Sequence, residues 1–340
     1  MNKRIMGFLA VMSVLILALY PVQGALTITD DVGYSTTIES PPQRIVSLAP
    51  ANTEILFALG LNDRVVGVTE YCNYPPEAQE KPKVGGYSTV SIEKVIALKP
   101  DLILAAYGNG EALISNLRNL GFRVIVLHPE TLDGILEDIR LAGMATGAEQ
   151  NATSLIGEME ERIRRVEERA SKARERPRVA HVIWNDPIYV SGNGTFQDEL
   201  IARAGGMNAF PRVEGWKAVG IEDFLAADPQ VLIVNRGTGM GGGEDEIARY
   251  FFTEPRFSNV TAIREGRVHL VDTDIVDRAG PRIVDALEQF ADAIHPVERT
   301  DRTGALTTGG AASTPGFTAG ITAPACMFAI LLLCIGTRRR

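Results

Sequence analysis

The chain has 340 residues, a formal net charge of −8 and three cysteines. Setting aside the five cations Lys3, Arg4, Arg338, Arg339 and Arg340 leaves the central part near −13, which argues against a nucleic-acid partner, since that needs a basic footprint. Without its two ends the chain is long enough for two lobes or one large α/β domain.

Residues 1–24 combine Lys3-Arg4, an apolar run over 5–20 and small residues near Gly24, the parts of a secretory signal peptide cleaved there. The run is short for a membrane anchor, and no cysteine follows it to carry a lipid. Strands are predicted over 26–29 and 34–38, joined by a hairpin turn at Asp30-Asp31-Val32-Gly33. A strand over 45–48 leads to a helix capped by Asn52 or Thr53 and stopped at Gly60, and a strand follows over 65–68. Ser91 caps a helix with Glu93 in its first turn that ends before Pro100. Then come a strand over 102–105, a helix over 111–120 stopped by Gly121, a strand over 124–127 and a helix over 132–146. Strands and helices alternating at this spacing give a mostly parallel sheet.

From 149 to 176, Leu155, Ile156, Met159, Ile163, Val166, Ala170 and Ala173 recur at spacings of three and four, the stripe of one long helix. Arginines and glutamates alternate on its remaining surface, the pattern of a solvated face. Strands are predicted over 178–184, 188–190, 231–234 and 268–271, and helices over 196–204, 221–226, 244–251 and 281–294. The expectation is an α/β protein of two Rossmann-like lobes, joined by one long rigid α-helix, with the ligand cleft between the lobes. The divisions are 25–147 for the N-terminal lobe, 148–177 for the linking helix and 178–297 for the C-terminal lobe. Residues 298–318 are rich in Thr, Gly, Ala and Ser and are expected to form a flexible stalk. Residues 319–340 are an apolar stretch closed by three arginines, either a membrane anchor or a sorting signal, with the basic end inside.

Catalytic and metal-binding signatures are sparse. His128, His181, His269 and His295 lack metal-ligand spacing, and His181 sits in a strand pattern, where a structural role is expected. There is no Gly-x-Ser-x-Gly elbow and no phosphate loop ending in Gly-Lys-Ser/Thr. Gly237-Thr238-Gly239-Met240-Gly241-Gly242 matches a dinucleotide fingerprint but has no acidic residue closing a strand about 20 residues on, so it reads as a loop on the cleft rim. Cys72 is the one cysteine outside the apolar tail; no disulfide is available to the folded part, and a packed thiol is expected.

Several segments carry a family resemblance: Glu70-Tyr71-Cys72-Asn73-Tyr74-Pro75-Pro76, 91–101, 184–192 with Thr195-Phe196, Gly215-Trp216 and Asp277-Arg278-Ala279-Gly280-Pro281-Arg282. Together they resemble the helical-backbone substrate-binding proteins of ABC importers, the cobalamin and iron-siderophore group, and above all the vitamin B12 binders. The resemblance covers about 44–294. It implies an exported, monomeric, non-enzymatic protein that holds a corrinoid edge-on between its lobes and has no cofactor of its own. Matching ligand positions are Tyr71, Tyr87, Tyr189, Trp216, Asp274 and Arg278. Where relatives place an aromatic after the strand ending at Ala105, this chain has Ala106-Tyr107; either Tyr107 replaces that wall or the pocket is wider. Large rigid apolar faces with one or two fixed polar groups suit an amide-edged macrocycle. Glu93 and Glu222 match the acidic residues that dock such proteins on arginines of the permease, although each also suits a helix N-terminus. The order Pro315-Gly316-Phe317, apolar stretch, arginines resembles the archaeal PGF-CTERM sorting signal, which implies a membrane tether. A ferric siderophore or haem remains the alternative ligand on this architecture, with Arg212 and Lys217 near Trp216 as further cations; a nucleotide-dependent enzyme resting on the Gly237 loop is the more distant one.

Overall fold

The structure is a computed structural model that describes residues 25–237 and 245–296. The signal segment, the stalk, the apolar tail with its sorting-signal motif and most of the Gly237 loop lie outside the described residues. The chain opens with the antiparallel hairpin β1 (Leu26–Thr29) and β2 (Ser35–Ile38). Its turn is fixed by Gly33 at φ +77°, a conformation glycine adopts without strain, and by Asp30, which accepts the Tyr34 backbone N–H at 2.8 Å.

Four strands make the first sheet: β3 (Ile45–Ser47), β4 (Val65–Val68), β5 (Leu102–Ala106) and β6 (Val124–Leu127), parallel throughout in the order β4-β3-β5-β6. Their Val/Ile/Leu runs are buried on both faces, as parallel strands covered by helices require. The covering helices are α1 (Pro50–Ala58), α2 (Ile92–Leu98), α3 (Glu111–Asn119) and α4 (Leu132–Thr146). Ser91 accepts the Lys94 N–H and starts α2 as the sequence predicts. The expected cap of α1 is corrected: neither Asn52 nor Thr53 caps it. The helix starts at Pro50, whose fixed φ suits a first helical position, and its N-cap Ala49 offers no side-chain bond. Asn52 and Thr53 are buried in the first turn, where Asn52 donates to the Ala105 carbonyl at 3.0 Å and Thr53 to Ser47 Oγ at 2.8 Å. Cys72 is buried against Thr53 and Thr69, both hydroxyls 3.1 Å from its sulfur.

The long helix α5 (Glu149–Ser171) buries Ile156, Met159, Ile163 and Val166. Its 23 residues span about 34 Å. It stops five residues short of the predicted end, because beyond Val166 the stripe offers only two alanines and the approach to Pro177 disfavours helix.

The second lobe runs through β7 (Arg178–Asn185), β8 (Ile188–Ser191), α6 (Phe196–Arg203), β9 (Met207–Asn208), β10 (Trp216–Val219), α7 (Ile221–Ala227) and β11 (Val231–Arg236). It continues with α8 (Glu246–Thr253), α9 (Thr261–Arg264), β12 (Val268–Asp272), α10 (Thr273–Val276) and α11 (Ile283–Ile294). The strand order is β10-β8-β7-β11-β12, with β9 also on β7; β8 and β10 are antiparallel and the other pairings parallel, except that β8 also runs antiparallel to β7. The segment around Trp216, for which the sequence pattern predicts no element, is therefore the edge strand β10. It is exposed along nearly all its length, so backbone pairing with β8 holds it and no apolar alternation marks it.

Alternate residues of the central strands face different cores. Ile103 belongs to one lobe's own cluster and Leu232 to the other's. Leu104 and Ile233 join a single cluster that passes from the first lobe through Ile156, Met159 and Ile163 of α5 to Phe290 of α11. The lobes thus share a core.

An ion cluster joins them at the cleft. Glu54 of α1, whose side chain is 2% exposed, accepts Arg282 Nη2 at 2.6 Å and Arg278 Nη1 at 3.0 Å. Arg278 also contacts Asp274 at 2.6 Å and Asn73 Oδ1 at 2.7 Å, and Arg282 stacks on Tyr74 at 4.0 Å. Removing one partner of a buried pair leaves the other uncompensated. Glu54→Gln should therefore lower unfolding free energy by about 3 kcal/mol, read as a lower urea midpoint at unchanged m-value.

Candidate functional site

The parallel strands of the first lobe deliver their following loops to one edge, the carboxyl end, where open α/β sheets bind ligands. Ala49 and Pro50 follow β3, Tyr71 follows β4, Tyr107 follows β5 and His128 follows β6. All five line a cavity of about 680 Å³ whose opposite wall is Phe196, Trp216, Thr273, Asp274, Asp277 and Arg278 of the second lobe. Tyr87, in the loop before α2, lines it as well. Tyr189 lies outside this cavity, in an apolar side pocket of about 420 Å³ with Ile183, Trp184, Phe196, Gln197, Trp216 and Asp277. Phe196, Trp216 and Asp277 belong to both walls.

The aromatic side chains of the site are exposed. Tyr71, Tyr107, Trp216 and Tyr189 are 61%, 57%, 49% and 39% exposed, whereas core aromatics such as Phe224 and Phe257 are sealed. Tyr107 stacks on His128, with ring centroids 4.2 Å apart. Tyr87 is half-buried, which pushes its hydroxyl pKa up. It fits because position 108 is glycine: a Cβ there would stand 2.5 Å from the Tyr87 hydroxyl. Buried Asn109 fastens the two tyrosine loops, donating to the carbonyls of Tyr87 at 2.8 Å and Leu48 at 2.9 Å while accepting the Ala106 N–H.

The electrostatic balance of the cavity is acidic. Among the described lining residues Arg278 is the sole Lys or Arg, and Glu54, Asp274 and Asn73 already occupy its guanidinium. Arg212 and Lys217 do not line the cavity. Glu130, Asp138, Asp274 and Asp277 do. Burial, together with the neighbouring Asp31 carboxyl, pushes Asp138 up to about 9, so it holds its proton at neutral pH. Burial pushes Asp277 up to about 7, opposed by hydrogen bonds from Asn235 and Gln197. His181 is fully buried and pushed down to about 4, hence neutral.

Glu93 and Glu222 sit apart from the cavity, exposed in the first turns of α2 and α7. The Glu93 carboxyl is held below the usual range by hydrogen bonds from its own backbone N–H and from Ser91. Among the described residues no group of three or more His, Cys, Asp or Glu is placed to hold a metal ion. Sequence reasoning missed His128, Trp184, Asn109, Gln197 and Asp277 as parts of the site. Gln197 and Asp277 lie inside or beside the segments that carry the resemblance, but a buried polar residue has no periodic signature.

Two α/β lobes with an aromatic cleft at their strand ends define a solute-binding protein. The chain belongs to the periplasmic binding protein family, whose sequence model matches residues 45–275. It is 34% identical over 278 residues to an uncharacterized ABC transporter substrate-binding lipoprotein, YvrC, of Bacillus subtilis, covering 80% of this chain and 86% of that one. It is 32% identical over 252 residues to a vitamin B12-binding protein of Vibrio cholerae, covering 73% and 88%. Among solved structures, the periplasmic heme-binding protein RhuT of Roseiflexus superposes with a TM-score of 0.65 at 30% identity, covering 74% of this chain and 99% of that one.

A proton held in the fold makes stability pH-dependent. The folded state binds the Asp138 proton up to about pH 9 while the unfolded chain releases it near its ordinary value of 3.8, so this stabilisation is complete at acid pH and is lost as pH rises towards 9. Asp277 adds the same sign over the narrower window up to about 7. Asp138→Asn should flatten the fall in urea midpoint between pH 5 and 8.5, removing on the order of 1 kcal/mol per pH unit.

Proposed function

We propose that this chain is an extracytoplasmic solute-binding protein that captures cobalamin or a related corrinoid and delivers it to an ABC importer. One observation carries the choice of ligand: the cleft pairs broad exposed aromatic faces with an acidic lining whose arginine is already neutralised inside the protein. A neutral macrocycle edged with amides gains from the aromatic faces and meets no charge conflict. Haem carries two carboxylates and ferric siderophores are often anionic. Haem and the anionic siderophores would bring negative charge to Glu130 and Asp277 with no free guanidinium to receive it. The named ligand of the Vibrio relative supports the corrinoid, and the heme-binding structural relative supports the alternative. The geometry of the walls favours the first.

Tyr71, Tyr87, Tyr107 and Trp216 would provide the faces in the cleft and Tyr189 a face in the side pocket; Asp274 and Arg278 would offer fixed polar edges. Glu93 and Glu222, one exposed carboxylate per lobe, would meet basic residues of the permease, where such charge mainly sets encounter rate and orientation. The stalk and apolar tail would tether the protein to the membrane.

Calorimetric titration of purified residues 25–296 tests this reading. Cyanocobalamin should bind 1:1 with a Kd of about 1 µM or below, and Tyr71→Ala and Trp216→Ala should each weaken it about tenfold or more. Hemin or a ferric hydroxamate binding more tightly than cyanocobalamin would overturn the corrinoid assignment.

A further inference from the structure

Behind Trp216 lies a chain of buried polar groups that ligand contact alone does not explain. Ser191, His181 and Asn235 are all 1% exposed or less in the core of the second lobe. His181 Nδ1 is 2.8 Å from Ser191 Oγ and its Nε2 is 2.9 Å from Asn235 Oδ1. Asn235 Nδ2 donates to Asp277 Oδ2 at 2.8 Å, so its oxygen must be the group facing His181. Nε2 therefore carries the imidazole proton, and Nδ1 accepts from the serine hydroxyl. From the other side, Trp216 Nε1 donates to Gln197 Oε1 at 3.1 Å, and Gln197 Nε2 donates to Asp277 Oδ1 at 2.8 Å. Both branches run donor to acceptor in one direction and end on the same carboxylate.

Asp277 is thus held from behind at each oxygen and still lines both the cleft and the apolar side pocket. A carboxylate has about four lone-pair sites. Gln197 and Asn235 occupy one site on each oxygen, and the residue lines both cavities. The geometry points to Asp277 as a specificity-determining residue: its carboxylate accepts an N–H from the amide edge of the ligand and repels a carboxylate edge, while the Gln197 branch fixes the Trp216 wall. This inference rests on the corrinoid reading and adds to it the group that selects amide over acid.

The charged and titratable groups around it are Asp274 and Arg278, paired with each other; His181, reached through Asn235; and His128, Glu130 and Asp138 across the cleft. Asp138 keeps its proton to about pH 9 and His181 stays neutral down to about 4, so neither changes charge between those limits. A donor edge favours the ionised Asp277, so affinity for cyanocobalamin should rise with pH through about 7 and then level off.

The experiment titrates wild type and Asp277→Asn with two probes, cyanocobalamin and dicyanocobyrinic acid, in which the amide edges are carboxylates, at pH 5.5 and 8.5. Wild type should bind cyanocobalamin about tenfold more tightly at pH 8.5 than at 5.5 and discriminate against the acid about a hundredfold at pH 8.5. Asp277→Asn should lose the pH dependence and narrow that discrimination about tenfold. The wild-type pH profile needs no variant, so a flat one overturns the role even where the substitution disturbs folding by setting an amide N–H against that of Gln197 or Asn235, while a rising one supports Asp277 when the preference for amide over acid rises with it, because His128 also lines the cavity. A flat wild-type profile, or a variant that keeps the slope and the preference, overturns the role of Asp277 while leaving the corrinoid reading standing. Absence of cyanocobalamin binding by wild type overturns both.

Discussion

The buried carboxylate of Glu54 decides what the cleft can be. It sits on α1 at the edge of the first sheet, and both arginines it binds come from the second lobe. A carboxylate this buried is tolerable only when cations and hydrogen bonds compensate it. Meeting that demand ties the lobes together at the base of the cleft and consumes the guanidinium that would otherwise greet an anionic ligand. The shared core through α5 works in the same direction. With apolar packing and an ion cluster both crossing the junction, the lobes have little freedom to part, and a ligand must be recognised by walls that are largely in place.

Much of the fold was legible because its strands are covered on both faces. Val124-Ile125-Val126-Leu127 can satisfy its surroundings only inside a sheet, and Ser91 before Ile92-Glu93 can begin only a helix. Reading failed where the determinant is not apolar pattern. The start of α1 is set by Pro50, which leaves Asn52 and Thr53 free to bond inward to the sheet rather than cap the helix. The strand β10 is nearly all exposed and owes its existence to a ladder with β8 that no window of its own sequence records. The long helix ended early because charge continued while apolar surface to bury did not.

The site divides in the same way. Exposed aromatics in loops after strands, such as Tyr71 and Tyr107, can be picked out because large apolar groups there have no core to enter. The groups that hold them in place are small, polar and buried. Asn109 fixes two tyrosine loops by three hydrogen bonds, and Gly108 makes room for the Tyr87 hydroxyl; neither carries a pattern by itself. Arg278 shows the converse. Its position in the cleft matches the family resemblance, but its partners, and hence its spent charge, depend on Glu54, 224 residues earlier in the chain.

The placement of Trp216 follows from these constraints. An exposed edge strand gives its side chains no packing to lock them, so the indole needs a directed bond to hold one orientation. Gln197 supplies it, and Gln197 is oriented in turn because its amide nitrogen donates to Asp277 and to the Val276 carbonyl. Asp277 cannot be exchanged for an apolar residue without leaving the buried Asn235 amide without its acceptor and taking one acceptor from Gln197, which removes the bond that turns the Asn235 oxygen towards His181. One carboxylate therefore takes part both in holding the aromatic wall and in charging it. Changes to one property carry the other with them, which ties the shape of the cleft to its selectivity.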